Sequence, residues 1–266
     1  MDEPPARTPI RNSPVTIVLL AAEPVSNPEP YISGWRRFVD QAATGSQLIV
    51  IDDDPASTFA DARCRVVRHT QKLGLGGCLQ SGLWLAETPL LLVAELDSGY
   101  EPSEARTLFE QIDHADLVAA SRRSGPVPAI IRGIDLARGI LSRLFLGYMP
   151  EARTAWPGWA GSGRRWFARH LFGVPLADPE GRMFLARREA VRDVPAQSRG
   201  RFAWVEMLAK LNHMECLLAE ATIPWKARPE KASDFWRDAS RLFRDPDFGP
   251  TPPLPPLSPV AADRGT

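Results

Sequence analysis

Two short apolar runs, each ending in acidic residues, set the limits on what this chain can fold into. Leu48-Ile49-Val50-Ile51 runs into Asp52-Asp53-Asp54, and Leu90-Leu91-Leu92-Val93-Ala94 runs into Glu95-Leu96-Asp97. Unbroken apolar runs of this length fit strands buried on both faces, as in a parallel sheet covered by helices. Open sheets of that kind bind ligands at the C-terminal ends of their strands. Carboxylates gathered there can hold a divalent cation, and through it a phosphate.

The surrounding pattern agrees. Strands are expected at Val15–Leu20, Leu48–Ile51, Arg65–Val67, Leu90–Ala94 and Leu117–Ala119. Between them, helices are expected at Pro30–Ala43, with Ile32, Trp35 and Val39 inward, at Gly74–Ala86 and at Pro102–Ile112. Strand–helix alternation implies an α/β fold with a mostly parallel central sheet and helices on both faces. Beyond residue 125 the pattern turns helical, over Ile130–Met149, Arg164–Phe172, Phe202–Met214 and Ser233–Arg244, with one strand at Cys216–Ile223. The expected organisation is a disordered leader (1–14), an α/β half (15–125), a helical half of the same domain (126–244) and a Pro-rich disordered tail (245–266).

Composition narrows the partners. Lys plus Arg equals Asp plus Glu at 32 each, so a polyanionic partner such as nucleic acid is disfavoured. Cys64, Cys78 and Cys216 are scattered without metal-ligand spacing, which fits a reduced, cytoplasmic compartment. The acidic, Pro-rich start is no signal peptide, and no apolar run approaches the roughly 18 residues of a membrane span. A soluble protein, or one lying on a membrane, is expected.

Three constellations carry possible chemistry. Asp52 and Asp53 can end a strand in a solvated turn, or accept hydrogen bonds from a nucleoside. The cluster Gly74-Leu75-Gly76-Gly77 has Leu79 at the third glycine position of a dinucleotide-binding turn, and no Gly-Lys-Ser/Thr follows it. Its glycines serve either close approach to a ligand at a helix N-terminus or close helix packing. Glu95 and Asp97 can converge on Mg²⁺ or Mn²⁺ where the strand breaks at Ser98-Gly99, or Glu95 can pair with an arginine while Asp97 caps the next helix. His69, His114, His170 and His213 lack metal spacing and read as surface or packing residues. Ser98 and Ser121 lack a nucleophile-elbow context.

Taken in order, these segments resemble the GT-A fold of family 2 glycosyltransferases, and most of all the dolichyl- or polyprenyl-phosphate mannose and glucose synthases. The residues carrying the resemblance are Ile51-Asp52-Asp53-Asp54-Pro55, Lys72-Leu73-Gly74-Leu75-Gly76-Gly77-Cys78 with Gly82, Glu95-Leu96-Asp97, and Ala115-Asp116-Leu117-Val118-Ala119-Ala120-Ser121-Arg122. A weaker likeness continues through Asp178-Pro179-Glu180-Gly181 to Ser233. It implies an inverting, metal-dependent transfer of a hexose from a GDP- or UDP-sugar to a polyprenyl phosphate or another acceptor, with residues 15–125 as the nucleotide-sugar half. Asp52, Asp53, Gly74, Gly76 and Lys231 would contact the donor. Asp97 with Glu95 would hold Mg²⁺ or Mn²⁺. Arg122, Arg228 and Lys231 would neutralise the departing diphosphate, with Asp97 acting in catalysis through the metal it holds.

The chain departs from that pattern at four places. Asp54-Pro55 stands for Gly-Ser, Lys72 for Asn and Glu95 for Asp, and the Asp178 segment is one residue short. These departures keep open a homologue that binds a nucleotide sugar or a protein without turnover. A nucleotidyltransferase is disfavoured, because Ala21-Ala22-Glu23-Pro24 lacks a Gly-rich basic loop after the first strand.

Residues 130–170 raise the question of a membrane. Arg132, Arg138 and Arg143 fall on one face of Ile130–Met149, opposite Ile134, Leu141 and Phe145. Trp156, Trp159, Arg164, Arg165, Trp166 and Arg169 follow. The pattern suits either a helix packed on its own core or an interfacial helix at the inner face of a membrane.

Overall fold

A computed structural model describes residues 9–25, 27–61, 63–122, 158–226, 235–249 and 257–259. The helix expected over 130–149, along with Trp156, Arg228 and Lys231, lies outside the described residues. Among the described residues, eight strands form one sheet in the order β7-β5-β6-β4-β1-β2-β3-β8. They are β1 (Val15–Ala21), β2 (Gln47–Asp52), β3 (Arg65–His69), β4 (Leu90–Glu95), β5 (Leu117–Arg122), β6 (Met183–Arg187), β7 (Leu218–Ile223) and β8 (Leu257–Pro259). β1 lies parallel between β2 and β4, and β3 continues the parallel order beyond β2. Only β6 and β8 run against the rest.

Among the described residues, five helices of ten or more residues flank the sheet: α1 (Glu29–Asp40), α2 (Gly74–Leu85), α3 (Gly158–Leu171), α4 (Phe202–His213) and α5 (Phe235–Arg244). Each sheet face has its own core. On one, Val18, Ile49 and Val93 meet α2, α4 and α5 through Leu79, Trp204 and Phe235. On the other, Ile17, Val50 and Leu92 meet Ile32 and Trp35 of α1 and Leu108. Ile32 and Trp35 are three residues apart, on one helical face.

Three expectations are corrected. The second half is not helical apart from one strand, because β6 inserts antiparallel between β4 and β5. Its apolar stretch is short and bracketed by Arg182 and Arg187, both buried; the Arg187 guanidinium donates to the carbonyls of Ala115 and Ile112. The helix expected over Pro102–Ile112 is instead a succession of short turns, Pro102–Ala105, Arg106–Phe109 and Ile112–His114. The Pro-rich tail is also not wholly apart from the fold, since Leu257–Pro259 pairs with β3.

Helix α4 sets up the site. It is buried almost throughout, yet carries Glu206 and Lys210 one turn apart, 2.7 Å from each other. Buried charges must be paired and hydrogen-bonded, and here the remaining bonds go to one loop. Glu206 accepts from the amides of Gln197 and Ser198, and Lys210 donates to the Pro195 carbonyl. The amide of Gly200 donates to Asp238 of α5. Segment 195–201 is thereby fixed across the C-terminal edge of the sheet.

Candidate functional site

A cleft of about 270 Å³ opens where β1 and β4 end, beside the start of α2. Gly74, Glu95 and Asp97 line it, and so do Lys72, Arg199 and Arg201. Among the expected site residues, Gly74, Glu95 and Asp97 are therefore brought together. Lys72, Arg199 and Arg201 are three cations at the cleft that sequence reasoning missed, and Glu23 adds a third acid. Arg199 and Arg201 are more than a hundred residues from Asp97, on a loop whose position depends on α4.

The two carboxylates differ in state. Glu95 is buried, accepts a 2.8 Å hydrogen bond from the Trp204 indole, and lies 3.8 Å from Arg182 and 3.9 Å from Arg201. Burial pushes its carboxyl above the usual range, against the pull of Arg182, Arg201 and the Trp204 bond. Asp97 is half-buried and makes no hydrogen bond or ion pair among the described residues. Its oxygens are open to the cleft's contents.

The acids at the end of β2 do not reach this cleft. Asp52 accepts from Arg68 Nε at 3.1 Å and from the Asp54 amide. Asp53 is fully buried and accepts from His69 Nδ1 at 2.7 Å and from the amides of Leu73 and Gly74, both at 2.8 Å. The other His69 nitrogen lies 2.9 Å from the Ser81 hydroxyl. His69, expected as a surface or packing residue, thus links β2, β3 and α2. Strand register is the signal that reveals it: Asp52 lies opposite Arg68, which sets Asp53 beside His69.

Asp53, His69 and Cys78 bring ligating atoms within 4.8 Å of one another. Asp53 and both ring nitrogens are already hydrogen-bonded. Burial, with the nearby Asp53 and Asp52 charges, pushes the Cys78 thiol well up. The cluster is closed by these bonds, and its buried thiol is unsuited to a cation that needs a thiolate.

The glycines answer a steric demand. Gly74 has φ +79°, and a Cβ there would lie 2.4 Å from the Arg199 carbonyl oxygen. At Gly76 a Cβ would lie 1.7 Å from the Ser198 carbonyl oxygen. Bare backbone lets α2 start directly beneath segment 198–199, and this close packing is what the geometry uses.

Arg122 stands apart from the cleft. Its Nε and one terminal nitrogen grip Asp178 at 2.7 and 2.8 Å, its amide donates to the same carboxylate, and Trp225 lies against it at 5.3 Å. Burial would lower the arginine's basicity, but the Asp178 bonds and charge raise it. Burial would likewise raise Asp178, yet the Arg122 bonds and the Arg122 and Arg165 charges hold it below the usual range. A larger groove, of about 580 Å³, lies between α1 and the turns at 102–106, and neither Glu95 nor Asp97 lines it.

No family model matches the chain, and no curated protein matches it. Solved structures do. Glucosyl-3-phosphoglycerate synthase from Mycobacterium tuberculosis, in complex with Mn²⁺, UDP and phosphoglyceric acid, superposes with a TM-score of 0.55 at 17% identity, over 87% of this chain and 75% of that one. The same synthase with Mn²⁺, UDP-glucose and phosphoglyceric acid gives 0.53 at 18% identity, over 87% and 76%. A further mycobacterial protein gives 0.52 at 21% identity, over 82% and 68%. At these identities the likeness establishes the fold, which is GT-A.

Proposed function

We propose that the chain is a metal-dependent, inverting glycosyltransferase that moves a hexose from a UDP- or GDP-sugar to a polyprenyl phosphate or another acceptor. Asp97 carries this reading: it is an open carboxylate in a strand-end cleft that also brings Lys72, Arg199 and Arg201 within its lining, together with the acids Glu23 and Glu95. The superposed synthase crystals hold Mn²⁺ with UDP or UDP-glucose and a phosphorylated acceptor, which supports the same chemistry on the same fold.

The residues fit Mg²⁺ or Mn²⁺. Asp97 offers hard oxygen atoms with no internal partner, as such ions require. Glu95 stands behind it, with one oxygen engaged by Trp204 and the other toward Arg182 and Arg201. Bound there, the ion would supply positive charge against the donor diphosphate. Lys72, Arg199 and Arg201 would add fixed charge along the same diphosphate, and would hold that of the leaving group. A phosphate acceptor is already ionised near neutral pH, so positioning and charge suffice without a strong general base.

In this reading Gly74 and Gly76 act by admitting segment 198–201 to the cleft. Asp53 supports the donor site indirectly, by holding the amides of Leu73 and Gly74. Arg122 acts through Asp178 on the neighbouring loop. Arg228 and Lys231 remain proposed as further diphosphate cations. A second reading, donor binding without turnover, is favoured by one observation: Glu95, one of the two expected metal ligands, is engaged by the Trp204 indole and faces Arg182 and Arg201.

Nucleoside diphosphate release distinguishes the two readings. The protein is incubated with Mn²⁺, UDP-glucose or GDP-mannose, and polyprenyl phosphate or 3-phosphoglycerate. Acceptor-dependent release, lost in Asp97→Ala, supports the transferase. Donor binding without release supports the second reading, and no binding of either donor overturns both.

A further inference from the structure

Helices α3 and α5 lie side by side and present an exposed surface of unusual composition. Trp166 (62%), Trp236 (56%) and Phe243 (62%) are more than half exposed, and Leu171 is close to half. Large aromatic side chains at this exposure, grouped on one face, mark an interaction surface. Phe167 meets Trp236 edge-on at 4.9 Å, and Phe172 meets Phe243 at 6.4 Å, which joins the two helices along the face. Trp166 and His170 stack one turn apart on α3 at 4.9 Å. Trp236 and Phe243 are seven residues apart, two turns along one side of α5.

The exposed charge of the two helices is of one sign. Arg169, Arg237, Arg241 and Arg244 are exposed. The two helices contain a single acid, Asp238, which is buried and accepts the Gly200 amide. Arg164 and Arg165 of α3 turn inward instead, to Glu180 and Asp178. The outer face is therefore aromatic and cationic within a chain whose net charge is zero.

From this composition we infer that the α3–α5 face docks on an anionic lipid bilayer. Tryptophan and phenylalanine at the depth of the headgroups, flanked by arginines that meet lipid phosphates, are the chemistry an interfacial helix needs. A second copy of the chain fits less well. A two-fold contact through this face would set arginine against arginine with no exposed acid on either helix to answer. No described helix is long and apolar enough to cross a membrane, so the contact lies on the surface. The face is defined by α3 and α5 whatever reaction the cleft performs, so this inference goes beyond the transferase reading and does not depend on it.

Vesicle co-sedimentation of the full chain, without donor or metal, tests it. Vesicles of phosphatidylcholine alone are compared with vesicles that also contain phosphatidylglycerol. The protein should sediment with the anionic vesicles and stay largely in solution with the neutral ones. Each arginine near an anionic surface gives roughly a five-fold gain in partitioning. Arg169→Glu with Arg244→Glu should therefore lower binding by at least an order of magnitude, and added salt should weaken the parent. Trp236→Ser with Phe243→Ser should abolish binding to both vesicle types. Circular dichroism, expected to be unchanged, confirms that the variants are folded, while Trp236→Ser with Phe243→Ser should lower Tm because the Phe167 and Phe172 contacts are lost. Equal sedimentation of parent and folded variants overturns the inference. So does a parent that ignores anionic vesicles, or one that forms a dimer dispersed by Trp236→Ser.

Discussion

At the end of β2, Asp52 and Asp53 lie beside Arg68 and His69 of β3, and every oxygen they offer is engaged. At the end of β4 the neighbour opposite Glu95 on β1 is Leu20, and Asp97 extends past the last paired residue. The two ends look alike as sequence, an apolar run followed by acids, but they do different work. What an adjacent strand carries at the same level decides whether a strand-end carboxylate is structural or open to a ligand. The difference between them is measurable, residue by residue.

The largest expected effect on stability is at the closed end. Asp53→Ala leaves the amides of Leu73 and Gly74 and the His69 ring without their acceptor, which should cost about 3 kcal/mol in chemical denaturation. Gly76→Ala forces a Cβ against the Ser198 carbonyl and should cost about 2 kcal/mol, with weakened donor binding as segment 198–201 is displaced. Asp52→Ala should cost about 1 kcal/mol, because Arg68 keeps its bond to the Phe59 carbonyl. If Asp53→Ala proved neutral, the two ends would not differ as described.

At the open end the effects on stability are smaller, and one depends on pH. The raised Glu95 carboxyl means that the folded chain binds this proton more tightly than the unfolded chain does. Its contribution is present below the ordinary glutamate range and is lost as pH rises through the raised value. Glu95→Gln keeps an acceptor for Trp204 and removes that loss, so its Tm should exceed the parent's at pH 7 and match it near pH 4. Asp178 behaves in the opposite sense. Its lowered carboxyl stabilises the fold above the ordinary aspartate range, and that stability disappears as pH falls through the lowered value. Asp97→Ala, a half-exposed side chain without internal partners, should change stability by less than about 0.5 kcal/mol.

Much of the fold was legible because buried parallel strands have a plain signature. β1, β2 and β4 are unbroken apolar runs, and α1 declares its buried face through Ile32 and Trp35. β6 escaped notice because its few apolar residues are bracketed by arginines, whose burial depends on carbonyls about seventy residues away. The site was half legible. Gly74, Glu95 and Asp97 belong to motifs close to strand ends, so order and spacing locate them. The long-range partners are a different matter: the Arg122–Asp178 pairing spans 56 residues and the Glu95–Trp204 bond 109. Composition and periodicity carry no trace of such contacts, so the sequence could not distinguish an engaged acid from an open one.

The most direct test of the claim that the β4 end carries the donor chemistry is a thermal shift with Mn²⁺ and UDP- or GDP-sugars on three proteins: the parent, Asp97→Ala and Asp52→Ala. A donor at about one hundred times its Kd adds about 2.7 kcal/mol. The account predicts a rise in Tm that needs metal and nucleotide sugar together, kept in Asp52→Ala and lost in Asp97→Ala. A rise that survives in Asp97→Ala, or that disappears in a folded Asp52→Ala, would contradict it.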